Sequence, residues 1–393
     1  MLTVNPKTLI SDYPADSERT VLGLISGTSA DGVDVAAVRF APACSEQRLR
    51  LLSFSTVPYE PRLKESVLRA AANDMTLRET AVLNTELGEF FAQVALDAIP
   101  QEGCQLVASH GQTVCHLPES RTTLQLGEGA IIANRTGLLT VTDFRTADMA
   151  LGGQGAPLVP LFDQHLLASA TRVRIAVNLG GIANITLIPP GQGVVQAWDT
   201  GPANCLSDAL CREHGLGDYD PNGRLAAEGE VDEGLLRELL SHEYFQLAPP
   251  KSTGLEDFGL SFARERFQGR EVRHLLRTSL ALAAQSLVDP ILDRLSSLDP
   301  TPADIVFAGG GTSNLTLMTE IEDRLRMGSE SRGLVQPTLM SFEDFGVSPD
   351  AREAAAFAYL GDRSARALAG TLPSTTGARQ AAILGKFSFP TLG

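Results

Sequence analysis

Hydrophobic residues fall along this chain in two recurring periods. Short apolar runs at Val21 to Ile25, Val33 to Phe40 and Leu51 to Val57 predict three successive strands, the last closed by Pro58 and Pro61. Spacings of three and four residues then take over and predict helices over Leu63 to Ala72 and Leu77 to Ile99. In the second helix Leu83, Leu87, Phe90, Phe91, Val94 and Ala95 form the buried face. Leu106 to Ser109 and Leu139 to Thr142 read as strands, with a helix over Glu128 to Arg135 between them. From Val173 the order begins again, with strands over Val173 to Leu179, Ile182 to Ile188 and Val194 to Trp198. Pro202 suits a first helical position, so a helix is expected from there to about Cys211. A loop-rich stretch over 215–258 precedes a long helix at about 271–297, which Pro290 is expected to kink or split. Ile305 to Ala308 predicts another strand followed by a helix, and the last helix covers about 350–367.

Two halves that each open with a three-strand meander and continue with alternating helices and strands predict a duplicated α/β fold with its ligand in the cleft between them. Residues 151–160, LGGQGAPLVP, carry three glycines and two prolines, as a hinge or shaped ligand loop would. The expected division is a polar extension over 1–20, a first domain over 21–145, a second over 146–369 and a C-terminal tail over 370–393, with packing of that tail on the first domain left open by the sequence.

Composition narrows the partners. A net charge of −15 over 393 residues argues against nucleic acid or an anionic membrane. The cysteines at 44, 104, 115, 205 and 211 have no metal-ligand spacing and read as reduced thiols of a cytoplasmic protein. No secretory signal and no membrane-spanning apolar run is expected.

Three Gly-rich turns follow predicted strands, at 27–32, 180–181 and 309–311. Glycine lets a backbone approach a ligand, and successive amides can cradle an anion, so together they point to a phosphate-bearing ligand held from both halves. In the first turn Thr28 and Ser29 add hydroxyls, and Asp31 and Asp34 suit a hydrated Mg²⁺ rather than the phosphate itself. A P-loop is excluded, because no GxxxxG precedes the Lys251-Ser252-Thr253 letters. A serine hydrolase built on Ser29 and His110 is weaker, since Asp31 occupies the second glycine of a GxSxG elbow. His110 reads instead as a hydrogen-bonding scaffold of the cleft. Asp199, after a strand and before Thr200-Gly201-Pro202, is the acid best placed as a general base, although alone it reads as a turn or cap residue. Glu353 alone reads as a solvated first-turn glutamate, and Asp143 with Arg145 as a surface salt bridge.

Eight segments in order resemble one family: SGTSADGVD at 26–34, SHGQTVCH at 109–116, DFRTADMALGGQGAPLVP at 143–160, NLGGIANIT at 178–186, WDTGPAN at 198–204, PPKSTG at 249–254, GGGTSN at 309–314 and SPDAREA at 348–354. The family is the anhydro-N-acetylmuramic acid kinases, in the superfamily of sugar kinases, actin and heat-shock chaperones. The resemblance implies a duplicated actin-like (RNase H-like) two-domain kinase fold, with ATP as co-substrate and Mg²⁺. It also implies a reaction in which a 1,6-anhydro sugar is hydrolytically opened and phosphorylated on O6, in cell-wall recycling. Carried over residue by residue, Gly27, Thr28, Ser29, Ala30, Asp31, Gly32, Val33 and Asp34 would contact the ATP phosphates, helped by Gly180 and Gly181. Gly309, Gly310, Gly311 and Asn314 would flank the adenosine. Asp199 sits at the family's catalytic aspartate and Glu353 at a glutamate near the same water. His110, Asp143, Arg145 and Gln154 would bind the sugar, Arg145 being able to reach a carboxylate.

Leu255 stands where the family usually has arginine, and Trp198 and Ala203 replace the more usual phenylalanine and glycine. The rival readings are a kinase of another anhydro sugar such as levoglucosan and a non-catalytic nucleotide-binding protein on the same scaffold. Family members are often dimers, so a homodimer is admitted.

Overall fold

The computed structural model describes residues 13, 17–27, 30–42, 49–191, 193–298 and 301–391. It divides into two compact units, one formed by Met1–Leu166 with Gly346–Gly393 and the other by Leu167–Phe345.

In the first unit β1 (Arg19–Ser26), β2 (Gly32–Phe40) and β3 (Leu49–Pro58) form an antiparallel meander. Strand β4 (Leu106–Leu117) adds parallel to β1. Strand β5 (Thr122–Leu126) pairs antiparallel with the outer half of β4, and β6 (Leu139–Thr142) lies parallel to its inner half. Alternation along β1 sends Val21 and Ile25 into one apolar layer and Leu22 and Leu24 into another. The second layer is closed by the helix Leu77–Ala98, through Leu83, Leu87 and Phe91. That helix begins where its sequence predicts, at a capping box of Thr76 and Glu79.

The second unit repeats the plan. Strands β7 (Val173–Leu179), β8 (Ile182–Ile188) and β9 (Gln196–Pro202) form an antiparallel meander, β10 (Ala303–Ala308) adds parallel to β7, and β11 (Thr338–Ser341) adds parallel to β10. The spatial orders β3-β2-β1-β4-β6 and β9-β8-β7-β10-β11 are therefore the same arrangement twice. Pro290 lies inside the unbroken helix Val272–Ser297, where buried Leu287, Val288, Ile291 and Leu292 on either side of it hold the helix in the core.

The chain then returns to the first unit. The helix Arg352–Ala365 lies on the Val21 and Ile25 face of the sheet, and β12 (Lys386–Ser388) pairs antiparallel with β6. Contact is so close that a Cβ on Gly23 would sit 1.9 Å from the Ala354 carbonyl oxygen and 2.6 Å from the Ala358 amide. The alanine-rich face at 354–358 and the glycine on β1 thus answer each other.

Several expectations change. The first unit runs to Leu166 rather than 145, and the helix at 352–365 belongs to it rather than to the second, because its alanines pack on β1. The Gly/Pro segment at 151–160 is therefore not the boundary. It follows the helix Thr146–Ala150 and leads into Pro160–Leu167. Strand β4 does not stop at Ser109 but continues through His110, with a shift of register near Gln112. Pro202 ends β9 instead of opening a helix, and the helix Cys205–Glu213 starts after Asn204. The loop-rich stretch contains the helix Glu233–Leu240 and short helical turns. Cys44 and residues 1–12 lie outside the described residues.

Candidate active site

The β1–β2 turn is held by a buried polar set. The Ser26 hydroxyl sits between the Gly32 carbonyl (2.7 Å) and Gln112 Oε1 (2.5 Å). Gln112 Nε2 donates to the Gly27 carbonyl at 3.2 Å, and the Ala30 amide donates to the same oxygen at 3.2 Å. Ala30 takes a left-handed φ of 50°, which bends the chain back into β2. The side chains of Ala30 and Val33 are buried in the core, so these two offer a ligand only their backbone. Gly32 is demanded by the sheet, since a Cβ there would lie 2.4 Å from the Val57 carbonyl oxygen. Asp31 is exposed and Asp34 half-buried, with the Thr56 hydroxyl donating to Asp34 at 2.6 Å. Burial pushes the Asp34 carboxyl up against that hydrogen bond, and the charges of Asp31 and Asp350 push it further. Thr28 and Ser29 lie outside the described residues.

At the end of β6 the expected pairing of Asp143 with Arg145 does not form. Asp143, at φ 56°, accepts from the Thr146 hydroxyl and pairs with Lys386 of β12, each at 2.5 Å. Burial opposes its ionisation, but Lys386 and Thr146 outweigh this and hold the carboxyl below its ordinary range. Arg145 turns the other way. Its Nε donates to His110 Nε2 at 3.0 Å and its Nη1 to the Gly155 carbonyl at 2.7 Å. Burial pushes its pKa down to about 10, against the charge of Glu353, so it remains a cation at neutral pH. The Gly-rich segment is shaped to reach it. The buried Asp148 carboxylate accepts from the Gly155 amide (2.8 Å) and the Thr376 hydroxyl (2.7 Å). Gly155 has φ 71°, and a Cβ there would strike Met149 at 2.8 Å. Gln154 is exposed, with its amide bonded to the Thr376 carbonyl at 2.9 Å. Glu353 is exposed on the first turn of its helix.

In the second unit Asp199 stands on β9 between buried Trp198 and Thr200, facing the opposite way from them and half-buried. The PPKSTG segment wraps around it. The Thr253 amide donates to Asp199 Oδ2 at 3.0 Å, the Asp199 amide donates to the Lys251 carbonyl at 3.0 Å, and the Tyr244 hydroxyl donates to the Asp199 carbonyl at 2.7 Å. Burial pushes the carboxyl up to about 6, against the Thr253 hydrogen bond and with help from Glu256. Above that pH it is a carboxylate with one amide donor, able to take a proton. A cavity of about 560 Å³ opens behind the strand, along Trp198, Thr200, Phe245 and Lys251, but Asp199 does not line it.

The two Gly-rich turns of this unit converge. Asn204 Nδ2 donates to the Gly180 carbonyl at 2.9 Å, and the Ala203 amide donates to the Gly181 carbonyl at 2.8 Å. A Cβ on Gly309 would press on the Leu179 carbonyl at 2.7 Å, and one on Gly311 on Asn204 Nδ2 at 2.6 Å. Gly310 has nothing within 4 Å of that position. Asn314 is spent locally, its Oδ1 capping the helix Leu315–Arg332 through the Leu317 amide at 3.1 Å. Leu255 is exposed beside this turn, 3.8 Å from a Cβ built on Gly181.

Sequence reasoning missed Gln112, Asp148, Tyr244 and Thr253. Gln112, Asp148 and Thr253 lie inside noted segments and Tyr244 outside them, but nothing in their spacing shows which carbonyl, amide or carboxylate they meet.

The family model described as anhydro-N-acetylmuramic acid kinase matches residues 19–390. The anhydro-N-acetylmuramic acid kinase of Xanthomonas campestris pv. campestris (strain 8004) is 40% identical over 378 residues, covering 93% of this chain and 96% of that protein. The protein of the same description from Caldanaerobacter subterraneus subsp. tengcongensis is 36% identical over 397 residues, covering 94% and 97%. Among solved structures a ROK hexokinase from Thermus thermophilus aligns at 17% identity and TM-score 0.35, covering 87% of this chain and 99% of that one. With the family model spanning nearly the whole length and relatives at this identity over both units, the chain belongs to the anhydro-N-acetylmuramic acid kinase family.

Proposed function

We propose that this ATP-dependent sugar kinase acts on 1,6-anhydro-N-acetylmuramic acid, with Asp199 as the general base. In a 1,6-anhydro sugar O6 is bonded to C1 and has no proton to lose. Asp199 therefore takes a proton from water as the water oxygen attacks C1. The C1–O6 bond breaks, O6 attacks the γ-phosphorus, and the bond from that phosphorus to ADP breaks. The products are N-acetylmuramic acid 6-phosphate and ADP. The observation that carries the reading is a half-buried aspartate on a strand, its carboxylate fixed by the Thr253 amide and its pKa pushed up to about 6 by burial.

Glu353 is assigned a supporting acid–base role, and Arg145 meets the lactyl carboxylate of the sugar. The backbone of residues 27–34, with Gly180 and Gly181, takes the phosphates, and the 309–311 turn takes the adenosine. Asp31 and Asp34 would hold Mg²⁺, through water and alongside the phosphates. Among the described residues no cluster of three or more ligating side chains makes a complete protein cage. Two carboxylates suffice for Mg²⁺ shared with phosphates, and the crowding of Asp34 by Asp31 and Asp350 is a charge balance that a cation relieves. When bound, the ion neutralises charge developing on the transferred phosphoryl group. We place the reaction in the cytoplasm. Among the described residues no helix is long and apolar enough to cross a membrane.

The test is ADP release with Mg-ATP and the anhydro sugar in ¹⁸O-water, wild type beside Asp199→Asn. Sugar-dependent release that falls at least ~100-fold in the variant, with label at C1 and none in the phosphate, is expected. Release with levoglucosan alone would change the substrate. Label in free phosphate would remove the mechanism.

A further inference from the structure

Both ring nitrogens of His110 are committed within the chain. The residue is buried on β4, with its ring 4.6 Å from that of Phe357. Nδ1 lies 2.9 Å from the Gly111 carbonyl, which can only accept, so Nδ1 carries the proton. Nε2 lies 3.0 Å from Arg145 Nε, which can only donate, so Nε2 is a bare lone pair. Two one-way partners leave one state, the neutral Nδ1–H imidazole. A histidine held this way has no ring nitrogen for a sugar.

The consequence falls on Arg145. A guanidinium is a planar fork, and its Nε and one side of Nη1 are taken by His110 and the Gly155 carbonyl. What remains is the edge carrying Nη2 and the second Nη1 hydrogen, donors from which a carboxylate can accept. We propose that His110 is a positioning residue, whose Nε2 lone pair turns Arg145 so that this edge faces the carboxylate of the substrate and thereby selects a carboxylate-bearing sugar. The inference rests on the reading that Arg145 meets the lactyl carboxylate.

Protonation of His110 would place an N–H against Arg145 Nε and break the arrangement. Burial and the charge of Arg145 hold its pKa well below the ordinary histidine range, with the neighbouring His116 acting in the same direction. Glu353, on the helix packed against this ring, acts on Arg145 itself. Preference for the carboxylate is therefore flat through neutral pH.

Calorimetric binding of 1,6-anhydro-N-acetylmuramic acid and of its lactyl amide to the full chain tests this. Wild type is expected to prefer the acid by about 10- to 100-fold, the value of a charged hydrogen-bonded pair over a neutral one. Arg145→Ala and His110→Phe should both lose the preference. His110→Gln, whose amide oxygen can replace the Nε2 acceptor, should regain most of it. Loss in Arg145→Ala with full preference kept in His110→Phe would overturn the positioning role and leave the carboxylate reading standing. No preference in wild type, or preference kept in Arg145→Ala, would overturn both. Ring ¹⁵N shifts of wild-type His110 at pH 7 decide independently of any variant's folding: Nδ1 protonated and Nε2 bare is expected, and an imidazolium or an Nε2–H tautomer would sink the inference.

Discussion

Asp199 carries a conflict between stability and chemistry that a single substitution exposes. Its carboxyl is raised from 3.8 to about 6 by burial, so the folded protein holds that proton more tightly than the unfolded chain does. The sign follows. From about pH 4 to 6 the unfolded chain ionises first, the fold loses stability, and above 6 the loss is constant. Asparagine removes the penalty and can still accept from the Thr253 amide. Asp199→Asn should therefore be more stable than wild type at pH 7.5, by about 1–2 kcal/mol after allowance for partial solvation, with the gap closing by pH 4. Urea denaturation at both pH values checks it, and a gap that does not depend on pH would contradict the assigned burial. Turnover should in turn rise with pH through about 6 and level off, and a plateau reaching down to pH 5 would count against Asp199 as base. The candidate acid was legible in the sequence because a strand ending in Asp-Thr-Gly-Pro presents few carboxylates. Its poise was not, because the Thr253 amide and the Tyr244 hydroxyl come from 45 to 54 positions away. The same limit hid the partner of Asp143, since Lys386 lies at the far end of the chain.

Glycines divide by what surrounds them, and the division separates folding from ligand binding. Gly23 is a packing glycine: a methyl there would overlap the backbone of the helix Arg352–Ala365 at Ala354 and Ala358. Neither β1 nor that helix can yield locally, so Gly23→Ala should cost about 3 kcal/mol or more and lower the thermal midpoint markedly. Gly310 has open space where its Cβ would stand. If its turn takes the adenosine, Gly310→Ala should leave the thermal midpoint within about a degree of wild type yet raise KM for ATP several-fold. An unchanged KM would remove Gly310 from the nucleotide site. In the sequence these glycines look alike. A Gly-rich turn after a strand announces a special backbone, whereas the need for Gly23 arises from a helix more than 300 positions later. Strand and helix types were legible from their periods, and the failures fell where tertiary burial overrode local rules. Pro290 stays helical between buried leucines and isoleucine, and Pro202 ends a strand because Ile182 of β8 pairs with it.

The two units repeat one strand order, but the chain builds them differently. Unit Leu167–Phe345 is one continuous stretch with its own core, running from Val173 through the helix Val272–Ser297 to Leu325. The other unit takes its last helix and strand from beyond residue 345, and without them Val21, Ile25, Val38, Leu106 and Val141 lose Ala354, Phe357 and Ala358 as partners. The loss is polar as well. Buried Asp362 accepts from the Tyr13 hydroxyl (2.8 Å) and pairs with Arg19, while buried Arg352 pairs with Asp163 through Nε at 2.9 Å. Truncation would strand Arg19 and Asp163 as buried charges, at a cost of about 3–5 kcal/mol for each broken pair, on the order of a whole domain's stability. A fragment of residues 167–345 is therefore expected to unfold cooperatively with native-like near-ultraviolet dichroism, which Trp198 reports. A fragment of residues 1–166 should lack a cooperative transition. Adding residues 346–393 to it as a separate chain should restore one, because that segment supplies the missing face and both missing charges. Cooperative folding of 1–166 alone would mean that the sheet closes its own core and that the returning helix adds only surface.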